Sequence, residues 1–295
     1  MGGGVTLRHL GGEMAGWSDA APASGPSYAY LASFLPAGGR VLVAGPHDPS
    51  IADGLQSARV TFLVRGQDDA ARLTEAGRDV LLGTVAKLPD EEYDLVLALD
   101  GTDRLCSVEG PQLSWVESVR ALRRVLRPGG ALLLTVENEL GVHRLVDRAS
   151  ATSGHTDADW RPVGEYDETR PGNPARLREH LAAEGLAVGW AAAVWPLPGA
   201  PTLIADESRL RYGPSGALSG AVAGAVATAY AGRPVLTDPR RLAAAAVRAG
   251  LGSELAPAWL VLATPGTVTP AGLPPAVQAS IKNLGGNAFS VQQLL

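Results

Sequence analysis

The chain has 295 residues, a formal net charge of −5 and one cysteine, and 46% of its residues are hydrophobic. That describes a mildly acidic globular protein long enough to bury a sizeable core. It excludes a disulfide framework within the chain and offers no basic face to suggest nucleic acid as a partner.

Arg outnumbers Lys 23 to 2 and Ala is abundant, which reads as GC-rich coding more than as chemistry. The start, Met1-Gly2-Gly3-Gly4-Val5, has no basic stretch leading into an apolar core. No signal peptide is therefore expected, and a reducing cytoplasm is the expected compartment. The most apolar run, Ala217 to Ala231, carries Ser219 and Thr228 and falls short of the roughly 20 residues that a membrane span needs. It is expected to be a buried helix, so no membrane partner is expected.

Residues 1–25 are rich in Gly, Ser and Pro without a period, and a flexible segment or lid is expected there. A short helix is expected over Ser27 to Leu35, ending before Pro36. The first strand is Arg40 to Ala44, followed by a helix from Ser50, the expected cap, to Ala58. Val60 to Val64 is the second strand, Asp68 to Ala76 a helix closed by Gly77, and Asp79 to Leu82 the third strand. Tyr93 to Leu99 is the fourth. Trp115, Val119, Leu122, Val125 and Leu126 then fall on one face of a helix over 114–126. Pro128-Gly129-Gly130 stops it, and Ala131 to Val136 is the fifth strand.

The segments 138–170 and 196–257 are too irregular for simple connections and read as insertions that carry function. Between them Asn173-Pro174 starts a helix that stops at Gly185, and Leu186 to Val194 is the sixth strand. Two helices are expected in the second insertion, near Ala217–Ala231 and Pro239–Ala249. Trp259 to Ala263 is the seventh strand, and residues 265–295 are expected to form a tail. Strands that end at Gly or Asp and alternate with helices indicate a parallel α/β sheet, which binds ligands at the carboxyl ends of its strands.

Leu122-Arg123-Arg124-Val125-Leu126-Arg127-Pro128-Gly129-Gly130-Ala131-Leu132-Leu133-Leu134 resembles the helix, turn and fifth strand of class I S-adenosylmethionine-dependent methyltransferases. Tyr93-Asp94-Leu95-Val96 resembles their fourth strand, and Gly83 to Pro89 the segment before it. The resemblance covers about Ser27 to Ala263. It implies a doubly wound, seven-stranded, mostly parallel Rossmann-like sheet over 26–264, with a helical insertion between strands six and seven. It also implies S-adenosylmethionine as cofactor and a small-molecule or peptide acceptor, of the kind met in secondary metabolism.

The motifs depart from the family pattern where the cofactor would sit. The Gly-rich turn after the first strand is Ala44-Gly45-Pro46-His47-Asp48-Pro49, in which one Gly remains and the prolines offer no N–H. An acidic residue usually follows the second strand and accepts from the ribose hydroxyls. Here Arg65 stands in that neighbourhood and has no acceptor atom. Thr84, followed by Val85, stands where an acid often meets the adenine. The resemblance therefore places the cofactor against Gly45, Pro46, His47, Asp48, Arg65, Thr84, Val85 and Asp100, with His47 and Asp48 as substitutes for the lost contacts.

Asp100 ends the fourth strand and could accept a proton or orient a substrate; the competing role is a turn residue that bonds its own loop. Glu137 and Asn138 end the fifth strand as candidate substrate contacts, and His143 follows within reach of the same edge as a candidate base. Trp160, Tyr166 and Arg170 could line a substrate lid, or belong to a solvated loop. His155 to Trp160 has metal-ligand residue types but no zinc spacing, so no metal is expected. Cys106 has no His placed to activate it, and a nucleophile elbow, a phosphate-binding loop and a dinucleotide fingerprint are all missing. Two readings stay open: a cytoplasmic methyltransferase, and a non-catalytic relative that keeps the fold as a binding or scaffolding module.

Overall fold

A computed structural model of the chain describes residues 5–32, 35, 39–55, 58–90, 92–148, 167–212, 216–266, 279–282 and 288–290. Five parallel strands occupy the centre: β2 (Arg40–Ala44), β3 (Arg59–Val64), β4 (Asp79–Gly83), β5 (Tyr93–Ala98) and β6 (Leu126–Glu137). They are followed by β7 (Leu186–Trp195) and β9 (Ala258–Pro265). These are the seven expected strands, and they lie in the order β4-β3-β2-β5-β6-β9-β7. Only β9 runs against its neighbours β6 and β7.

The sheet is wider than expected, with eleven strands among the described residues rather than seven. At one edge β1 (Leu7–Gly11) pairs in parallel with β4, where a flexible amino-terminal segment was expected. It caps an edge whose backbone groups would otherwise be open to pairing. At the other edge β8 (Leu203–Asp206) pairs with β7, and β10 (Ala279–Lys282) and β11 (Ala288–Ser290) extend the sheet into the expected tail. Between β8 and β9 come α7 (Glu207–Tyr212), α8 (Gly216–Ala229) and α9 (Pro239–Arg248). Leu218, Val222 and Val226 of α8 pack with Ala243 and Val247 of α9.

Helices cover both faces. Successive strand residues point to opposite sides, so Val41 and Val43 join one core and Leu42 and Ala44 the other. The first core lies under α1 (Pro26–Ala32), α2 (Pro49–Asp53) and α3 (Gln67–Glu75), through Tyr28, Leu31, Ile51 and Leu73. The second lies under α4 (Trp115–Arg124) and α6 (Pro174–Ala183), through Trp115, Val119, Leu122, Leu177 and Leu181.

Local corrections have local causes. Helix α2 begins at Pro49 because the Asp48 carboxylate, not Ser50, caps it by accepting from the Ser50 N–H at 2.9 Å. Pro128-Gly129-Gly130 does not precede the fifth strand but bulges from it, since Leu126 pairs with Tyr93 and Ala131 with Leu95. A side chain at Gly130 would stand 2.8 Å from the Tyr93 carbonyl, which only glycine avoids. Helix α4 starts in a capping box, Ser114 Oγ accepting from the Glu117 N–H at 3.3 Å and Glu117 Oε2 from the Ser114 N–H at 2.8 Å. Ser114→Ala should lower stability by about 1 kcal/mol in urea denaturation, with Ser114→Asp restoring most of it.

Candidate functional site

The carboxyl ends of β2 to β6 form one rim, and the two halves of that rim differ. Over β2, β3 and β4 the rim is closed by the chain's own amino-terminal segment. Met14 N donates to the Arg65 carbonyl at 2.8 Å, Ala23 N to the Pro46 carbonyl at 2.9 Å, and Asp48 N to the Ala23 carbonyl at 2.8 Å. Residues 14–23 thus run as a strap across the strand ends.

Arg65 is the anchor of that strap. Its Nη2 donates to Asp19 at 2.6 Å, its Nε to the same carboxylate at 3.0 Å, and its Nη1 to the Cys106 carbonyl at 2.8 Å. The two side chains are 1% and 2% exposed. Asp69 holds the strap from below, accepting from Ser18 Oγ and from the Asp19 N–H, each at 2.8 Å. No signal in the Gly- and Pro-rich amino terminus marks Asp19 for this role.

The other expected cofactor contacts are enclosed as well. His47 accepts from the Leu99 N–H at Nε2 and donates to the Gly45 carbonyl from Nδ1, both at 3.0 Å. The ring is a neutral tie between the ends of β2 and β5, and burial pushes its pKa down to about 4. Thr84 and Val85 are fully buried, with Thr84 Oγ1 and the Val85 N–H both directed at the Leu105 carbonyl. Beside Gly45, which has φ +93°, Leu105 and Asp100 occupy the space over the turn. Among the described residues a cavity of about 240 Å³ lies here between the strap, Pro46, His47 and Leu73. That is below the range of roughly 300–1,000 Å³ usual for ligand pockets.

S-adenosylmethionine needs an acceptor for its ribose hydroxyls and room for adenine on this half. The residue present is a guanidinium already paired with a carboxylate, and the turn after β2 carries a buried imidazole in place of a glycine. As arranged, these residues do not fit the cofactor. Pro46, Arg65, Thr84 and Val85 instead pack the rim.

Over β5 and β6 the rim opens into a cavity of about 670 Å³. It is lined by five of the expected residues, Asp48 from the cofactor set with Asp100, Glu137, His143 and Arg170. Asp100 is held by Arg104, which also donates to the carbonyls of Ala20 and Ala21 and so fastens the strap. Burial pushes the Asp100 carboxyl up to about 6 in spite of Arg104, with Asp103 and Asp19 adding to the rise. Arg170 Nη2 donates to both oxygens of Asp103 at 2.8 Å. His143 Nε2 lies 2.9 Å from Glu137 Oε1, which also accepts from Arg144 Nε at 3.0 Å.

Asn138 departs from its expected role as a substrate contact. Its Nδ2 donates to the carbonyls of Glu254 and Ala256 at 2.7 and 2.8 Å, and its Oδ1 accepts from the Leu140 N–H at 3.0 Å. It ties the end of β6 to the loop before β9 and is 1% exposed. Trp160 and Tyr166, like His155, lie outside the described residues.

The cavity also brings in residues that the sequence reading passed over: Asp103, Arg104, Trp115 and Thr135. The Asp100 and Arg104 spacing of four, the pattern of an ion pair on one turn, was the available signal for that pair. Among the described residues no group of three His, Cys, Asp or Glu side chains could hold a metal ion. Among those residues, too, no helix is long and apolar enough to cross a membrane.

The order β4-β3-β2-β5-β6-β9-β7, with β9 antiparallel between two strands of the other sense, is that of class I S-adenosylmethionine-dependent methyltransferases. The chain has that fold. No family model matches it, and no curated protein matches it in sequence. Solved structures that resemble it include the methyltransferase CcbJ from Streptomyces caelestis, 15% identical over 85% of this chain and 94% of that one, with a TM-score of 0.44. The cyclase SpnF is 19% identical over 82% and 81%, at 0.42. An S-adenosylmethionine-dependent methyltransferase from Geobacter sulfurreducens, solved with S-adenosyl-L-homocysteine, is 15% identical over 84% and 94%, at 0.40. The likeness is one of fold.

Proposed function

We propose that this chain is a methyltransferase-fold protein that holds a small molecule over the carboxyl ends of β5 and β6. One observation carries the reading: of the two halves of the rim, the one over β5 and β6 is open, and the one that would take a nucleoside is filled by the strap and the buried Arg65 and Asp19 pair. Such a protein acts as a binding module, because the groups lining the open half can recognise a ligand without a cofactor beside them.

The second reading is S-adenosylmethionine-dependent methyl transfer to that small molecule. The strand order favours it, and S-adenosylmethionine is the cofactor to which the methyltransferase neighbours point. It requires the strap over 14–23 to leave the ends of β2 and β3, because Arg65 and His47 otherwise stand in the cofactor's place.

Isothermal titration of the full chain with S-adenosylmethionine and S-adenosylhomocysteine separates the two. The expected result is no binding of either at micromolar concentration. Micromolar binding of S-adenosylhomocysteine would overturn the module reading and establish the second.

A further inference from the structure

The strap that closes the rim over β2, β3 and β4 is also a partition. Ala20, Ala21, Pro22 and Ser24 line the larger cavity, while Asp19 and Pro22 line the smaller one. The turn after β2 passes beneath, with Asp48 facing the larger cavity and Pro46, His47 and Pro49 the smaller. Among the described residues the strap is the wall that the two spaces share.

The strap is held by polar ties, not by an apolar plug. Of residues 14–23, Met14 and Ala23 at the two ends are the buried apolar side chains. Ala15, Gly16, Ser18, Ala20, Ala21 and Pro22 between them are exposed. A segment that buries so little apolar surface can open while the rest of the fold stays intact. The buried Asp19 and Arg65 pair does not prevent this. Removing one partner strands the other, but lifting the strap carries Asp19 into water and uncovers Arg65, and the hydration of both offsets the lost attraction.

The backbone of the strap is strained as well. Ala21 has φ +47°, a left-handed conformation that a Cβ disfavours, and it is the non-glycine residue with positive φ among the described residues. One side chain holds it there. Arg104 Nη2 donates to the Ala21 carbonyl at 3.1 Å and Nη1 to that of Ala20, while Nε donates to Asp100 at 2.7 Å. Arg104 is thus anchored at the end of β5 through Asp100 and grips the strap at its strained point. Gly12 and Gly25, at φ +78° and +100°, stand where the chain leaves β1 and enters α1, and such positions can absorb a swing of the segment between them.

We infer that residues 14–23 form a latch that lifts as one unit about Gly12 and Gly25, that Arg104 is its catch, and that lifting joins the two cavities into one groove across the ends of β3, β2, β5 and β6. The inference rests on the proposed binding role of the larger cavity and adds the device that sets the length of that site.

Hydrogen exchange of the full chain, followed residue by residue in NMR spectra, tests it. The amides of Met14, Asp19, Ala23 and Asp48 bond across the strap, to the Arg65 carbonyl, the Asp69 carboxylate, the Pro46 carbonyl and the Ala23 carbonyl. Val43 and Val96 lie in the central paired strands and report unfolding of the sheet. The strap amides should exchange together, roughly a hundredfold or more faster than those of Val43 and Val96. Arg104→Lys keeps a charge for Asp100 but lacks the fork that reaches both carbonyls, so it should speed the strap amides about a further tenfold and leave Val43 and Val96 unchanged. Ala21→Gly should act the other way and slow them about threefold, because glycine holds this φ without a Cβ penalty.

Strap amides that exchange at the rate of Val43 and Val96, or at rates unrelated to one another, would overturn the inference. So would strap rates that neither variant moves. If Arg104→Lys speeds the sheet amides as well, Ala21→Gly decides: slower strap exchange supports the latch, and unchanged or faster exchange removes it. Each overturning outcome would leave the larger cavity open and its proposed binding role intact, so the two readings fail separately.

Discussion

Asp19→Ala should lower the free energy of unfolding by about 3–5 kcal/mol, the largest effect expected of a single substitution outside the apolar cores. The reason is asymmetric. Asp19 and Arg65 are both shut away from water, so removing the carboxylate leaves a guanidinium buried without its counter-charge. The Cys106 carbonyl and the face of Trp17, 5.8 Å from the guanidinium carbon, are weak compensation. The double variant Asp19→Leu with Arg65→Met should recover most of the loss, because a buried pair replaced by apolar groups of similar size is often neutral. Urea denaturation of the parent, the single variant and the double variant measures both effects. A single variant within about 1 kcal/mol of the parent would mean that the pair is reached by water and the strap is loosely held. Titration of that variant with S-adenosylhomocysteine then bears directly on function. Binding gained on loss of Asp19 would favour a strap that opens, and with it the methyl-transfer reading.

The second large effect is a pH dependence that the parent protein hides. The Asp100 carboxyl is raised to about 6 in the folded state, mainly by burial. The folded protein therefore holds a proton that the unfolded chain releases near pH 4. Its contribution to stability is complete below pH 4 and is lost as pH rises through about 6, by about 3 kcal/mol. His47 behaves in the opposite sense. Burial lowers its pKa to about 4, so its contribution is complete above about pH 6.5 and is lost as pH falls through 4. Over pH 4 to 6 the two slopes oppose each other.

Asp100→Asn removes one of them and should make stability rise more steeply with pH across that window than it does in the parent. The difference between parent and variant should shrink or reverse by about 3 kcal/mol from pH 4 to 6.5. Parallel stability curves from denaturation at several pH values would show that Asp100 titrates as an ordinary exposed carboxylate, and the enclosure described for it would be wrong.

The seven central strands and most of their helices were legible because their signals are local. Val41 to Ala44 and Leu95 to Ala98 are apolar runs long enough for a buried strand, and the face of α4 repeats at helical spacing. The ends of those strands located Asp100, Glu137 and His143 at one edge, and the structure brings these three into one cavity with Arg170. Less was legible where the partner is remote. Strand β1 forms only because β4, some seventy residues on, offers an open edge to Leu7 and His9. Asn138 looked like a rim residue from its place in sequence, yet its amide is turned into carbonyls contributed from beyond β7.

The order of apolar runs, with Gly or Asp closing them, was enough to indicate a parallel α/β sheet and its rim, and the family resemblance marked Arg65 as a departure after the second strand. Which half of the rim stands open was decided only in three dimensions. Asp19 reaches Arg65 across 46 positions, and Arg104 reaches the Ala20 carbonyl across 84. The strength of such contacts comes from the exclusion of water around them, and that is a property of the packed molecule, not of any stretch of chain.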